Sequence, residues 1–84
     1  MKDERGLYYY PTPGNPRVRM YVKAQDGVVW FRLWNAADPQ LWEKHEWVPY
    51  GAILKAAEIY TGNNFDPHRA YDIELAKALI DEDG

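Results

Sequence analysis

Residues 17–35 constrain the fold of this chain most, because two runs of alternating residues flank the dipeptide Asp26-Gly27. A type I′ turn needs positive φ angles at both central residues, and Asp-Gly between two such runs is among the strongest local signals for it. The sequence therefore predicts a β-hairpin whose strands cover residues 17–24 and 28–35. The turn also fixes the register, which places Lys23 opposite Trp30.

This register divides the hairpin into two faces of different chemistry. One face is apolar and suited to a core; it carries Val18, Met20, Val22, Phe31 and Leu33. The other alternates cations with aromatic rings, and we call it the basic-aromatic face; it carries Arg19, Tyr21, Lys23, Trp30, Arg32 and Trp34. Opposed side chains in a hairpin have Cβ atoms about 4.5–5.5 Å apart, so each cross-strand pair on this face brings a cation to a ring.

The segment before the hairpin predicts one more strand. Residues 7–10 are leucine followed by three tyrosines, and Pro11 ends this run. The turn-rich loop 11–16 contains three prolines and can return the chain. We therefore expect the aromatic strand to pair antiparallel with residues 17–24.

The segments after the hairpin predict three helices, and a proline or an aspartate marks the start of each. They cover residues 39–46 after Asp38-Pro39, residues 50–61 after Pro49, and residues 73–82 after Asp72. Gly62 is placed to end the second helix as a left-handed cap, and Asp66-Pro67 predicts a further single turn. Three acidic residues, Asp81-Glu82-Asp83, oppose the dipole of the last helix, so we expect its final turn to fray.

These elements predict a small α+β protein. We expect a single domain over residues 1–84, with the polar residues 1–6 frayed. Its small antiparallel sheet has about three strands, built on the central β-hairpin 17–35. Two or three C-terminal helices pack on one face of this sheet.

Charge is unevenly distributed along the chain. Residues 17–35 carry four basic residues and one acidic residue, whereas residues 36–84 carry ten acidic and four basic residues. The net charge of −3 weighs against strong nonspecific affinity for nucleic acid. Because the sequence has no cysteine, no signal-peptide pattern and no apolar run of membrane-spanning length, we expect a cytoplasmic protein without a membrane partner.

The basic-aromatic face is the main functional signal in the sequence. Tyrosine, tryptophan and arginine are enriched at protein–protein hot spots, so the preferred prediction is a noncatalytic binding or interaction module. The competing prediction is a single-stranded nucleic-acid binder on the same face, since bases stack on rings while cations hold phosphates. A structural interpretation also stands, in which the helices cover this face.

A third function class is a small enzyme subunit that uses His45 or His68. The chain has neither cysteine nor serine, which excludes acyl transfer of the Ser–His and Cys–His kinds. The two histidines lack the spacing that puts two metal ligands on one helical face, and the glycines are isolated rather than grouped in a phosphate loop. We therefore predict no catalytic residue, no metal ligand and no cofactor.

Self-association is a further expectation. An aromatic strand at the edge of a sheet offers unpaired backbone groups to another chain. The sequence thus suggests a symmetric homodimer, formed through residues 7–10 or through the basic-aromatic face. A protein partner of another kind is the alternative.

Overall fold

The computed structural model describes residues 2–12, 14–59 and 71–83. In this part of the chain, five strands form one antiparallel sheet in chain order: β1 (Lys2–Asp3), β2 (Gly6–Tyr9), β3 (Val18–Gln25), β4 (Val28–Asn35) and β5 (Val48–Pro49). The helices described are α1 (Gln40–Lys44), α2 (Tyr50–Ile59) and α3 (Ile73–Asp83). The α+β class and the C-terminal position of the helices confirm the sequence prediction.

The central hairpin has the predicted register. Strands β3 and β4 pair antiparallel along their length, with Lys23 opposite Trp30. Asp26 and Gly27 both have positive φ angles, 55° and 75°, as a type I′ turn requires. The local turn chemistry therefore fixes which side chains share a face.

The sheet has two more strands than the sequence predicts. Strand β2 pairs with β3 as expected, but β1 pairs with β2 on its other side, where Lys2 lies opposite Leu7. Residues 1–6 were expected to fray, and the structure instead places Lys2–Asp3 in this strand. At the other edge, β5 pairs Pro49 with Trp30. Strands of two residues are too short to show the alternation from which strands are predicted.

The apolar face of the hairpin forms the core. Its buried cluster joins the sheet to helices α2 and α3, and consists of Tyr9, Met20, Val22, Phe31, Ile53 and Ala76. Phe31 is 1% exposed, and its ring contacts those of Tyr50 and Tyr71 at centroid distances of 6.1 and 5.4 Å. Two helices thus cover the face that the register assigned to the core.

The two predicted aspartate caps differ in the structure. The Asp72 carboxylate accepts a hydrogen bond from the Leu75 N–H (3.1 Å), so Asp72 caps α3 as predicted. The prediction for Asp38 is wrong, because Pro39 is the N-cap of α1 and no side chain caps it. Only the backbone carbonyl of Asp38 takes part, accepting from the Leu41 N–H at 3.0 Å.

The last helix is longer than predicted. It continues to Asp83, whose carboxylate receives the Lys2 ammonium at 3.1 Å, so a cation from β1 offsets part of the acidic charge at its end. The predicted cap at Gly62, the turn at Asp66-Pro67 and His68 lie outside the described residues. In the part of the chain described here, no helix has both the length and the apolarity needed to cross a membrane.

Candidate binding surface on the basic-aromatic face

The hairpin brings all six predicted residues of the basic-aromatic face to one side of the sheet. Their cross-strand pairs are those predicted: Arg19 with Trp34, Tyr21 with Arg32, and Lys23 with Trp30. None of the six is fully exposed, and Tyr21 is completely buried, with 0% exposure. The face is therefore partly a second core and partly a surface.

Segments outside the hairpin cover the middle of this face. The Tyr21 ring lies between the Tyr8 ring of β2 and the Trp42 ring of α1, at centroid distances of 5.4 and 5.1 Å. Arg5, in the turn between β1 and β2, places its guanidinium over the rings of Trp34 and Trp42, at 5.7 and 6.0 Å. The structural interpretation thus applies to the centre of the face, with cover from α1 and from the N-terminal strands.

A small polar network closes the β1 side of the face. The Asp3 carboxylate accepts hydrogen bonds from the Tyr21 hydroxyl (2.5 Å) and from the Arg19 guanidinium (2.9 Å). Burial raises the pKa of Asp3, but the hydrogen bonds from Tyr21 and the Arg5 backbone N–H and the charge of Arg19 outweigh it, so this pKa lies below its ordinary value. Burial and the hydrogen bond to Asp3 raise the pKa of Tyr21.

Arg19 also links the network to the aromatic rings. Its guanidinium lies 4.7 Å from the Tyr8 ring centroid and 5.1 Å from that of Trp34. The hydrogen bond to the Tyr21 oxygen helps raise the pKa of Arg19. With both rings and the Asp3 carboxylate around it, this cation is committed to intramolecular contacts.

Arg32 holds helix α1 on the sheet. Its guanidinium lies 3.9 Å from the Trp42 ring centroid, and its Nε donates a hydrogen bond to the Trp42 carbonyl at 3.1 Å. Its Nη2 donates to the same oxygen. The last carbonyls of a helix have no partner within the helix, so Arg32 satisfies one of them and fixes the position of α1.

The end of the face near the turn is more open. The Lys23 ammonium lies 4.6 Å from the Trp47 ring centroid and 6.0 Å from that of Trp30. A cleft of about 400 Å³ opens here; its lining is Lys23, Gln25, Trp30, Arg32, Glu43, Glu46 and Trp47. Neither Lys23 nor Arg32 forms an ion pair with a carboxylate in the described part of the chain. This open end, rather than the whole face, is the candidate binding surface.

Four residues of the site were not among the predicted site residues. Arg5, Tyr8, Trp42 and Trp47 complete the stack of cations and rings. Their sequence positions give no signal for this placement, because contacts between segments far apart in the chain depend on how α1 and β1 dock. Their residue types, all basic or aromatic, are the only available hint.

The structure gives little support to the hypothesis of an enzyme subunit that uses His45 or His68. His45 is exposed and follows α1, and it lines a cavity of about 240 Å³ with Leu41, Glu46 and Tyr71. Its proposed companion, His68, lies outside the described residues. Among residues 2–12, 14–59 and 71–83, no three His, Cys, Asp or Glu side chains are grouped so as to hold a metal ion.

Comparisons with known proteins assign the chain to no family. The chain matches no protein-family model, no curated protein and no solved structure.

Proposed function

We propose that this protein is a noncatalytic binding module that contacts a protein partner through the open end of the basic-aromatic face. The observation that carries the proposal is the arrangement of Lys23 between the rings of Trp30 and Trp47, beside a cleft. Tryptophan and arginine are the residue types that contribute most at interface hot spots. The expected cytoplasmic location, based on the absence of cysteine, belongs to the same proposal.

Neighbouring groups already hold several side chains of this surface, which favours a binding role. Trp30 and Trp47 are half-buried, and Arg32 is fixed by two hydrogen bonds to one carbonyl. Each side chain that a partner must immobilise costs about 0.5–1.5 kcal/mol on binding. Side chains already held by their neighbours avoid much of this cost.

The nucleic-acid alternative is less well supported by the same geometry. Bases stack on free ring faces, but at the open end the Lys23 ammonium already lies 4.6 Å from the Trp47 ring centroid, and the Trp34 and Trp42 rings elsewhere on the face carry arginine guanidiniums. The net charge of −3 also reduces attraction to phosphates. Titration of a labelled oligothymidylate at two salt concentrations tests this alternative, since phosphate binding weakens steeply with salt.

The proposal is tested by affinity capture from an extract of the source cells. Wild type is compared with Trp30→Ala and Lys23→Glu, and with Leu75→Ala as a matched control. Leu75 is 40% exposed on α3, the helix that packs on the opposite face of the sheet. Circular dichroism first establishes that each variant is folded.

We expect a partner that wild type and Leu75→Ala retain and that both face variants lose. A partner retained equally by all four proteins shows that another surface binds it. Absence of any captured protein contradicts the proposal, and salt-sensitive binding of the oligothymidylate would then favour the nucleic-acid function.

A further inference from the structure

The β3 strand has a short open edge beside the candidate surface. The register of β2 with β3 places Leu7–Tyr9 beside Met20–Val22 and continues to Gly6 beside Lys23, so β3 extends past β2 by Ala24 and Gln25. Beyond Gly6 the chain turns away into β1, which pairs on the far side of β2. Among the described strands, none lies beside the last residues of β3 on this side.

A cavity of about 370 Å³ lies at this edge and extends over both faces of the sheet. On the apolar side its lining includes Leu7, Val22 and Ile80, which belong to the core or pack against it. On the other side its lining includes Lys23 and Trp47, which form the cation–ring contact of the basic-aromatic face. A ligand bound along this edge would therefore contact an apolar surface and a basic surface.

The charges around the cavity are mostly positive. Lys2, Arg5 and Lys23 line it, together with one carboxylate, that of Asp83. The Asp83 carboxylate already receives the Lys2 ammonium at 3.1 Å. Within the described residues, Arg5 forms an ion pair at 3.8 Å with Glu4, whose side chain is 86% exposed. The Arg5 guanidinium also lies over the Trp34 and Trp42 rings. The cavity therefore suits a negatively charged occupant.

We propose that an extended peptide in which acidic and apolar residues alternate adds to the β3 edge at this cavity. Successive side chains of a strand point to opposite faces, so one set would contact Leu7 and Ile80 and the other set Arg5 and Lys23. The peptide backbone can hydrogen-bond to β3 at Ala24, and the side-chain contacts on the two faces supply most of the affinity and the specificity. This inference rests on the proposed function, and it names the chemistry of the protein partner.

The probe is a blocked hexapeptide in which glutamate and leucine alternate. Two control peptides carry glutamine in place of glutamate, or glutamine in place of leucine. Each is titrated into the ¹⁵N-labelled protein, and amide and indole resonances are followed by NMR. Lys23→Gln is the test variant. Lys55→Gln is its matched control, because Lys55 is exposed on α2 and forms no ion pair in the described part of the chain.

We expect the glutamate–leucine peptide to shift the amides of residues 5–7 and 23–25 and the indole N–H of Trp47. Lys23→Gln should weaken its binding about tenfold, the effect of one charge-assisted hydrogen bond, and Lys55→Gln should not change it. Both control peptides should bind more weakly than the probe.

Three results would overturn the inference: equal binding of the glutamine–leucine peptide, shifts confined to the outer surfaces of α2 and α3, or no binding of the probe. Each leaves the proposed function to be decided by the capture experiment. If a captured partner depends on Trp30 while the probe fails to bind, the surface is correct and the peptide chemistry is wrong. If capture also fails, both are wrong.

Discussion

Tyr21 and Phe31 show how the two faces of the hairpin are packed. They lie on opposite faces of the hairpin, and both are buried, at 0% and 1% exposure. Phe31 belongs to the core beneath α2 and α3, whereas Tyr21 is enclosed by Tyr8, Trp42 and the Asp3 network. We therefore expect the side chains of the basic-aromatic face that lie nearest Tyr21 to contribute most to stability.

Trp30 and Phe31 are neighbours in sequence with opposite expected roles. Phe31→Ala should lower the free energy of unfolding by about 3–5 kcal/mol, because it empties a core position. Trp30→Ala should lower it by about 1–2 kcal/mol, because Trp30 is partly exposed and contributes mainly a cation–ring contact. Urea denaturation measures both. Equal losses would mean that the open end of the face is also structural.

Asp3 should give the protein a specific sensitivity to acid. The folded-state pKa of Asp3 lies below its ordinary value of 3.8, so its carboxylate stabilises the fold above that pH. This stabilisation should be lost as the pH falls below 3.8 through the lower folded-state pKa. Asp3→Asn should be less stable than wild type at neutral pH, and the difference should disappear in acid.

Urea midpoints measured over a series of pH values check this dependence. Glu4→Gln is the control, because the Glu4 side chain is 86% exposed. A difference between wild type and Asp3→Asn that stays constant down to the lowest pH would contradict the assigned role of the carboxylate.

At the scale of elements, the starts of α1 and α3 show that an aspartate before a helix does not always cap it. Asp38 and Asp72 each precede a helix in the sequence, but only Asp72 places its carboxylate on a helix N–H. The Asp72 backbone N–H also donates to the Tyr9 hydroxyl at 2.9 Å, which ties α3 to β2. Burial raises the pKa of Tyr9 to about 12, although this hydrogen bond opposes the shift.

Asp72→Ala should therefore cost about 1 kcal/mol of stability, the usual effect of losing an N-cap. Asp38→Ala should change stability by less than about 0.5 kcal/mol, because no cap bond is lost. Thermal unfolding of the two variants beside wild type makes the comparison. A larger loss for Asp38→Ala would show that its carboxylate caps α1 in solution.

The elements that could be predicted are those with strong local signals. The Asp26-Gly27 turn determines the register of the hairpin, and proline or aspartate marks the start of each long helix. Strands β1 and β5 have two residues each, too few for periodicity. The docking of α1 through Arg32 could not be predicted, since it joins residues ten positions apart by a contact to a backbone carbonyl.

At the scale of the whole molecule, the sheet edges bear on self-association. Strand β1 pairs beside Gly6 and Leu7 and so covers part of the edge expected from the sequence, whereas no described strand lies beside Tyr8 and Tyr9 on that side. The outer strands are β1, which is charged, and β5, which contains Pro49; such short edge strands oppose pairing between copies. A homodimer through residues 7–10 therefore stays a prediction, with a shorter open edge than the sequence suggests.

Sedimentation equilibrium at micromolar concentration tests this prediction, and a monomer of 9.8 kDa would contradict it. A dimer that Trp30→Ala dissociates would instead identify a second copy of the chain as the partner of the basic-aromatic face. A dimer insensitive to this substitution would point to a surface outside it.

The central position of β3 has a consequence for the exchange of amide hydrogens with solvent. Residues Met20–Val22 are paired with β2 on one side and β4 on the other, and all three are buried. Their amides should exchange slowest, through opening of the whole protein, whereas those of residues 24–28 should exchange through local fluctuations. One strand would then combine the most protected segment of the molecule with the adaptable edge proposed to receive a peptide.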